Sequence, residues 1–193
     1  TREIPRFYFH ERYQNFLSTW KAKAAHKHPK SFINERVQCY LSQLKAMNGE
    51  DEIIFIPLHA KRINDRDTPS QFKKTENVLK ILDEEPRVVL LGDPGSGKSK
   101  CLYQKAISLA NNWEFNKTWP LLISLYDYSE SGLRSLLLKQ LPGLYWVDIE
   151  ADINSGKILL ILDGLNECPS KLYEYCHQDI VFLLRDYPTA NII

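Results

Sequence analysis

The chain has 193 residues, 44% of them hydrophobic and 25% charged, with a formal net charge of +1. That composition is ordinary for a globular protein and excludes collagen-like, low-complexity and strongly charged disordered classes. No apolar run approaches the about 18–20 residues a membrane-spanning helix needs, so no membrane segment is expected.

The first 30 residues carry seven Lys or Arg against two Asp or Glu, which leaves the rest of the chain at −4. This basic segment reads as a solvated helix face, with nucleic acid or an acidic partner as the alternative. Phe9, Tyr13, Phe16, Leu17, Trp20 and Ala24 form one helical stripe. Ile33, Val37, Tyr40, Leu41, Leu44 and Met47 form a second, separated from the first by His28-Pro29 and stopped by Asn48-Gly49. Residues 1–52 therefore read as a helical hairpin, an N-terminal extension or linker. Glu52 to Leu58 (EIIFIPL) reads as extended. Thr68-Pro69-Ser70-Gln71 offers an N-cap, a proline at the first helical position and Gln at the third, so a helix is expected through Phe72, Leu79 and Leu82.

Pro86 to Leu91 (PRVVLL) is a short β-branched run suited to a buried parallel strand. It leads into Gly92, Asp93, Pro94, Gly95, Ser96, Gly97, Lys98, Ser99 and Lys100, which fit G-x-x-x-x-G-K-[ST]. Leu102, Ala106, Leu109 and Trp113 then recur at helical spacing. A glycine-rich loop between strand and helix lets backbone N–H groups turn inward on a phosphate, where the helix N-terminus adds partial positive charge. Lys98 is expected to reach the β- and γ-phosphates, and the Ser99 hydroxyl to ligate Mg²⁺.

Pro120 to Leu125 (PLLISL) reads as a second core strand, and a helix is expected over Leu133, Leu136, Leu137 and Leu141. Lys157 to Asp163 (KILLILD) is the third strand, apolar until its terminal carboxylate. Leu172, Tyr175, Cys176, Ile180, Leu183 and Tyr187 mark a further helix, and Asn191-Ile192-Ile193 opens a fourth strand. Strands alternating with helices imply an α/β fold with a parallel sheet and flanking helices. Asp163 stands at the C-terminal edge of such a sheet, where it would support Mg²⁺ together with Ser99. Glu167, four residues on, is the candidate for orienting an attacking water. Cys39, Cys101, Cys168 and Cys176 contain no C-x-x-C pair, so reduced thiols in a cytoplasmic protein are expected rather than a disulfide framework or a zinc site.

"VVLLGDPGSGKS" followed by "ILLILDGLNE" resembles the NACHT class of STAND signalling NTPases, shared by NOD-like receptors and many bacterial defence proteins. Asp-Gly-x-x-Glu after the hydrophobic strand is the more discriminating half, since most related ATPases place Glu directly after Asp. "PLLISLYDYS" and "LLRDYPTANII" add to the likeness, which covers about residues 53–193. The resemblance implies a P-loop NTPase with Walker A and Walker B motifs that binds ATP or ADP with Mg²⁺. Within it Lys98 is the phosphate-binding lysine, Ser99 and Asp163 hold the metal, and Glu167 is the catalytic acid. The family often has Asp where this chain has Asn166, a departure that bears on hydrolysis. The resemblance also implies that the fourth strand lies between the first and third. A sensor arginine, a helical lid and a winged helix would follow it, so the chain reads as truncated at that strand.

The function so implied is a nucleotide switch in a larger signalling or immune-type protein, with slow hydrolysis and nucleotide-controlled self-oligomerisation. An ordinary-turnover ATPase or kinase is the alternative, although no Arg-rich lid stands between Asn166 and Ile193, where Arg185 is alone. A non-hydrolysing, nucleotide-stabilised interaction module is another. A GTPase is disfavoured, because Asn116-Lys117-Thr118-Trp119 has Trp where guanine recognition needs an acid. The activating ligand and the effector are not marked by any motif.

Overall fold

The structure is a computed structural model that describes residues 28–47, 59–60, 76–113 and 118–193. The first arm of the expected hairpin, the extended stretch at 52–58 and the helix start at 68–72 lie outside the described residues.

Helix α1 (Lys30–Ala46) starts directly after Pro29 and buries Ile33, Val37, Tyr40, Leu41 and Leu44. These fall on one stripe at helical spacing, as the periodicity placed them, whereas Met47, expected on the same stripe, lies past the helix end and is 73% exposed. The stripe packs on helix α3 (Lys98–Asn111), introduced below with its loop. Strands β1 (His59–Ala60) and β2 (Glu76–Asn77) form an antiparallel pair. Helix α2 (Val78–Glu84) begins immediately after β2, with the Asn77 side-chain oxygen accepting the Leu79 N–H at 2.9 Å. Here the expected long helix is corrected: residues 76–77 are extended and paired with β1, and Asn77 is an N-cap rather than a helix interior. Lys105 of α3, buried along its stem, places its ammonium on Asp83 of α2 and ties the two helices together.

The sheet contains β3 (Trp119–Ser124), β4 (Ile158–Asp163) and β5 (Asn191–Ile192), all parallel and in the order β3-β4-β5. Ile158, Leu159, Leu160 and Ile161 are buried in succession, as a central strand covered on both faces requires. Each such side chain contributes about 1.5–3 kcal/mol through removal from water. The link from β3 to β4 holds α4 (Leu133–Lys139) and α5 (Trp146–Asn154), and α6 (Tyr173–Asp186) links β4 to β5. Helix α5 is not among the sequence expectations, although Trp146, Ile149 and Ile153 are buried at helical spacing.

Beyond β5, Arg87 bridges Ile192 in parallel, the Val88 N–H reaches the Ile192 carbonyl at 3.0 Å, and the Ile192 N–H reaches Pro86 at 2.8 Å. β5 thus lies between β4 and residues 86–88, the order the resemblance implies. The expectation of a buried strand from Pro86 to Leu91 is corrected, however. Pairing stops at Val88, and Val89 and Leu91 are 82% and 76% exposed while Val88 and Leu90 touch the core. The segment keeps the two-residue alternation of extended chain, with Val88 and Leu90 against the core and Val89 and Leu91 on the other, exposed face.

The opposite edge is partly covered. The Trp119 N–H bonds inward to Lys157, so Pro120 and Leu122 stand at outward-facing backbone positions of β3. Pro120 has no N–H to offer, and the Leu122 N–H donates to the Tyr40 hydroxyl of α1 at 2.9 Å. A proline and a phenol therefore occupy two of the outward-facing positions of this edge and blunt its pairing capacity.

Candidate functional site

At the C-terminal edge of the sheet the glycine-rich loop turns into α3. Gly97 caps that helix with φ +87°, a left-handed conformation that glycine adopts without a Cβ penalty. The turn before it is closed by the Ser96 N–H on the Asp93 carbonyl at 3.2 Å, and the helix ladder starts with the Cys101 N–H on the Gly97 carbonyl at 3.0 Å. The first-turn N–H groups of α3 have no acceptor within the helix, and no described residue supplies one. The helix thus presents free donors and partial positive charge at the loop.

The Lys98 ammonium lies over the same loop. It donates to the Gly92 carbonyl at 2.6 Å, the Asp93 carbonyl at 2.8 Å and the Ser96 hydroxyl at 3.3 Å. Three neutral acceptors hold a full positive charge beside uncommitted backbone donors. An anion that displaced these contacts would exchange neutral partners for a charge-assisted one.

The Ser99 hydroxyl, in the first turn of α3, donates to Asp163 Oδ1 at 3.1 Å. Two groups 64 positions apart in sequence meet here because β4 ends at Asp163 just as α3 begins. A hydroxyl and a carboxylate are hard oxygen donors, and Mg²⁺ typically takes one or two protein oxygens with waters and phosphates completing its shell. The residues present fit that ion. No group of three or more His, Cys, Asp or Glu side chains with metal-site spacing occurs among the described residues.

After Asp163 the chain enters a 3-10 turn over Leu165–Glu167 capped by Gly164 at φ +79°. The Glu167 N–H closes the turn on the Gly164 carbonyl at 2.8 Å. The Glu167 carboxylate folds over Gly164, with Oε2 3.2 Å from where a Cβ would stand. Glu167 and Asn166 are exposed on the same side of the sheet's end as Asp163, and Cys168 then turns into the core.

Lys98, Ser99 and Asp163 are thus gathered at one edge, with Glu167 on the adjoining turn. Lys100 is exposed on α3. All four cysteines are free thiols, and burial, aided by neighbouring Cys168 and Asp179, pushes Cys176 up to about 12. Ser124 belongs to no sequence motif, and only the strand pairing reveals its register with Asp163. Among the described residues no helix is long and apolar enough to cross a membrane. Comparison with known proteins finds no matching family model, no matching curated protein and no matching solved structure.

Proposed function

We propose that the chain is the nucleotide-binding part of a NACHT-type P-loop NTPase, taking ATP or ADP with Mg²⁺. The observation that carries this reading is the Ser99–Asp163 contact beside Lys98 at the start of α3. Lys98 gives up the Gly92 and Asp93 carbonyls for phosphate oxygens, and the free N–H groups of the α3 first turn receive the remaining phosphate charge. Ser99 and Asp163 would hold the metal, which when bound would neutralise phosphate charge. Glu167 accepts the proton of an attacking water and orients it.

Adenine is favoured because Trp119 is buried in β3 and cannot serve as the acid of a guanine-reading motif. The resemblance supports a slow switch whose nucleotide state controls self-assembly in a signalling or defence protein. Four free thiols support placing it in the reducing cytoplasm.

Calorimetric titration of ADP and ATP into wild type and Lys98→Ala tests the reading. Loss of the lysine is expected to cost about 1.5–3 kcal/mol, the worth of hydrogen bonds to a charged group. Equal affinities in the two proteins overturn it.

A further inference from the structure

β3 and β4 are in parallel register, with Ser124 opposite Asp163. Register partners in neighbouring strands stand roughly 4.8 Å apart with side chains on the same face of the sheet. The Asp163 carboxylate reaches Ser99 on α3, so this is the face that α3 covers. Ser124 therefore brings a hydroxyl to the flank of that carboxylate, on the side away from β5.

Its position in the strand is equally specific. Every β3 residue before it is buried or half-buried, and Ser124 is exposed. It is thus the strand's one hydroxyl, set where the sheet edge opens. Immediately after the paired residues, the 3-10 turns Leu125–Asp127 and Leu165–Glu167 pack side by side and hold the two strand ends in register. Ser99 occupies Asp163 Oδ1, and no described residue bonds Oδ2. A carboxylate of this kind has acceptor capacity left for water, and a serine hydroxyl can both donate and accept.

We propose that Ser124 is a positioning residue of the divalent-cation site, orienting a water shared by Asp163 and the cation. The proposal rests on the nucleotide-binding reading above. Mg²⁺ keeps several waters when it binds, so a protein hydroxyl beside its carboxylate acts through one of those waters rather than on the ion. Removing it loosens the metal's contribution to nucleotide affinity and leaves the phosphate contacts of Lys98 and the loop intact.

The test compares ADP affinity by calorimetry in MgCl₂ and in EDTA for wild type, Ser124→Ala, Ser124→Thr and Lys98→Ala. Ser124→Ala is expected to reduce the Mg²⁺-dependent gain in affinity about three- to tenfold, the worth of one hydrogen bond, with the EDTA affinity unchanged. Ser124→Thr, which keeps the hydroxyl, is expected to restore the gain. A Mg²⁺ gain in Ser124→Ala equal to wild type overturns the proposal, as does an equal loss of affinity in MgCl₂ and EDTA, which marks a purely structural role. If Lys98→Ala binds ADP as wild type does, or wild type binds none, the nucleotide reading fails and the Ser124 proposal falls with it. A weakened Lys98→Ala beside an unchanged Ser124→Ala overturns the Ser124 proposal alone.

Discussion

The Tyr40 hydroxyl of α1 accepts the backbone N–H of Leu122 at 2.9 Å, on the open edge of β3. A side chain of α1 thereby bonds an outward-facing N–H at the edge of the three-stranded sheet. Tyr40 also meets Trp119 edge to face, with ring centroids 6.4 Å apart.

Tyr40→Phe keeps the ring and orphans a part-buried N–H. It is expected to lower stability by about 1–3 kcal/mol, measured as a shift of the urea midpoint at unchanged slope. Alkali probes the same contact. Burial pushes Tyr40 up to about 12 from an ordinary 10.0, against the opposing pull of the Leu122 N–H. A raised folded value means the unfolded chain loses its proton first. Stability is therefore full below pH 10 and declines as pH rises towards 12. Burial, with Glu150 adding to it, pushes Tyr187 up to about 12 as well, so Tyr40→Phe is expected to remove only part of this decline.

At the other end of α1, the buried Asp148 carboxylate accepts the His28 N–H and the Tyr145 N–H at 2.8 Å each and meets the His28 ring Nδ1 at 2.8 Å. It caps α5 and anchors the entry to α1 at once. Burial alone would push this carboxyl up; the His28 ring and the two backbone donors outweigh it and hold the group below its ordinary value. With a depressed folded value, the contribution is present above the unfolded carboxyl range, near about 3.9, and is lost as pH falls through the folded value. Asp148→Ala is expected to cost about 3–5 kcal/mol, as breaking a buried pair does, and to flatten the acid limb of a stability–pH profile. An unchanged acid limb would assign the acid response to other carboxylates.

Gly164 sits in the left-handed region, and a methyl group there would meet Glu167 Oε2. Gly164→Ala is expected to destabilise the fold by roughly 1–2 kcal/mol through backbone strain and to displace Glu167. ATP turnover should then fall more than ADP affinity, which phosphate-release assays beside calorimetry would show.

Asp163 and Glu167 should separate by role. Asp163→Asn is expected to weaken ADP binding in MgCl₂ and spare binding in EDTA, since the change removes charge beside Ser99. Glu167→Gln is expected to bind MgATP within about twofold of wild type and to lose about 10²-fold or more in turnover, as removal of a general base does. Wild-type turnover in Glu167→Gln would make that acid a turn residue only.

The sequence by itself determined the parts whose information is local. The Gly92–Ser99 spacing, the end of the apolar run at Asp163 and the periodic stripes of α1, α3 and α6 are set by residues within a few positions of one another. These elements stand where the periodicity placed them, except that Met47 and Trp113, expected on the stripes, lie past the ends of α1 and α3. Tertiary structure alone decided the rest. Nothing near Asn77 in sequence announces that β1 pairs with β2 and turns an expected helix interior into a cap. Nothing in PRVVLL tells which of its two faces is covered: Val88 and Leu90 touch the core while Val89 and Leu91 are exposed. The Ser99–Asp163 contact and the Ser124–Asp163 register join residues 64 and 39 positions apart, and the hydrogen bond from Leu122 to Tyr40 spans 82. Side-chain periodicity reports which face of an element is apolar. Which strand lies beside it, and in what register, depends on pairing across the whole chain, so the neighbours that complete the site had to come from the fold.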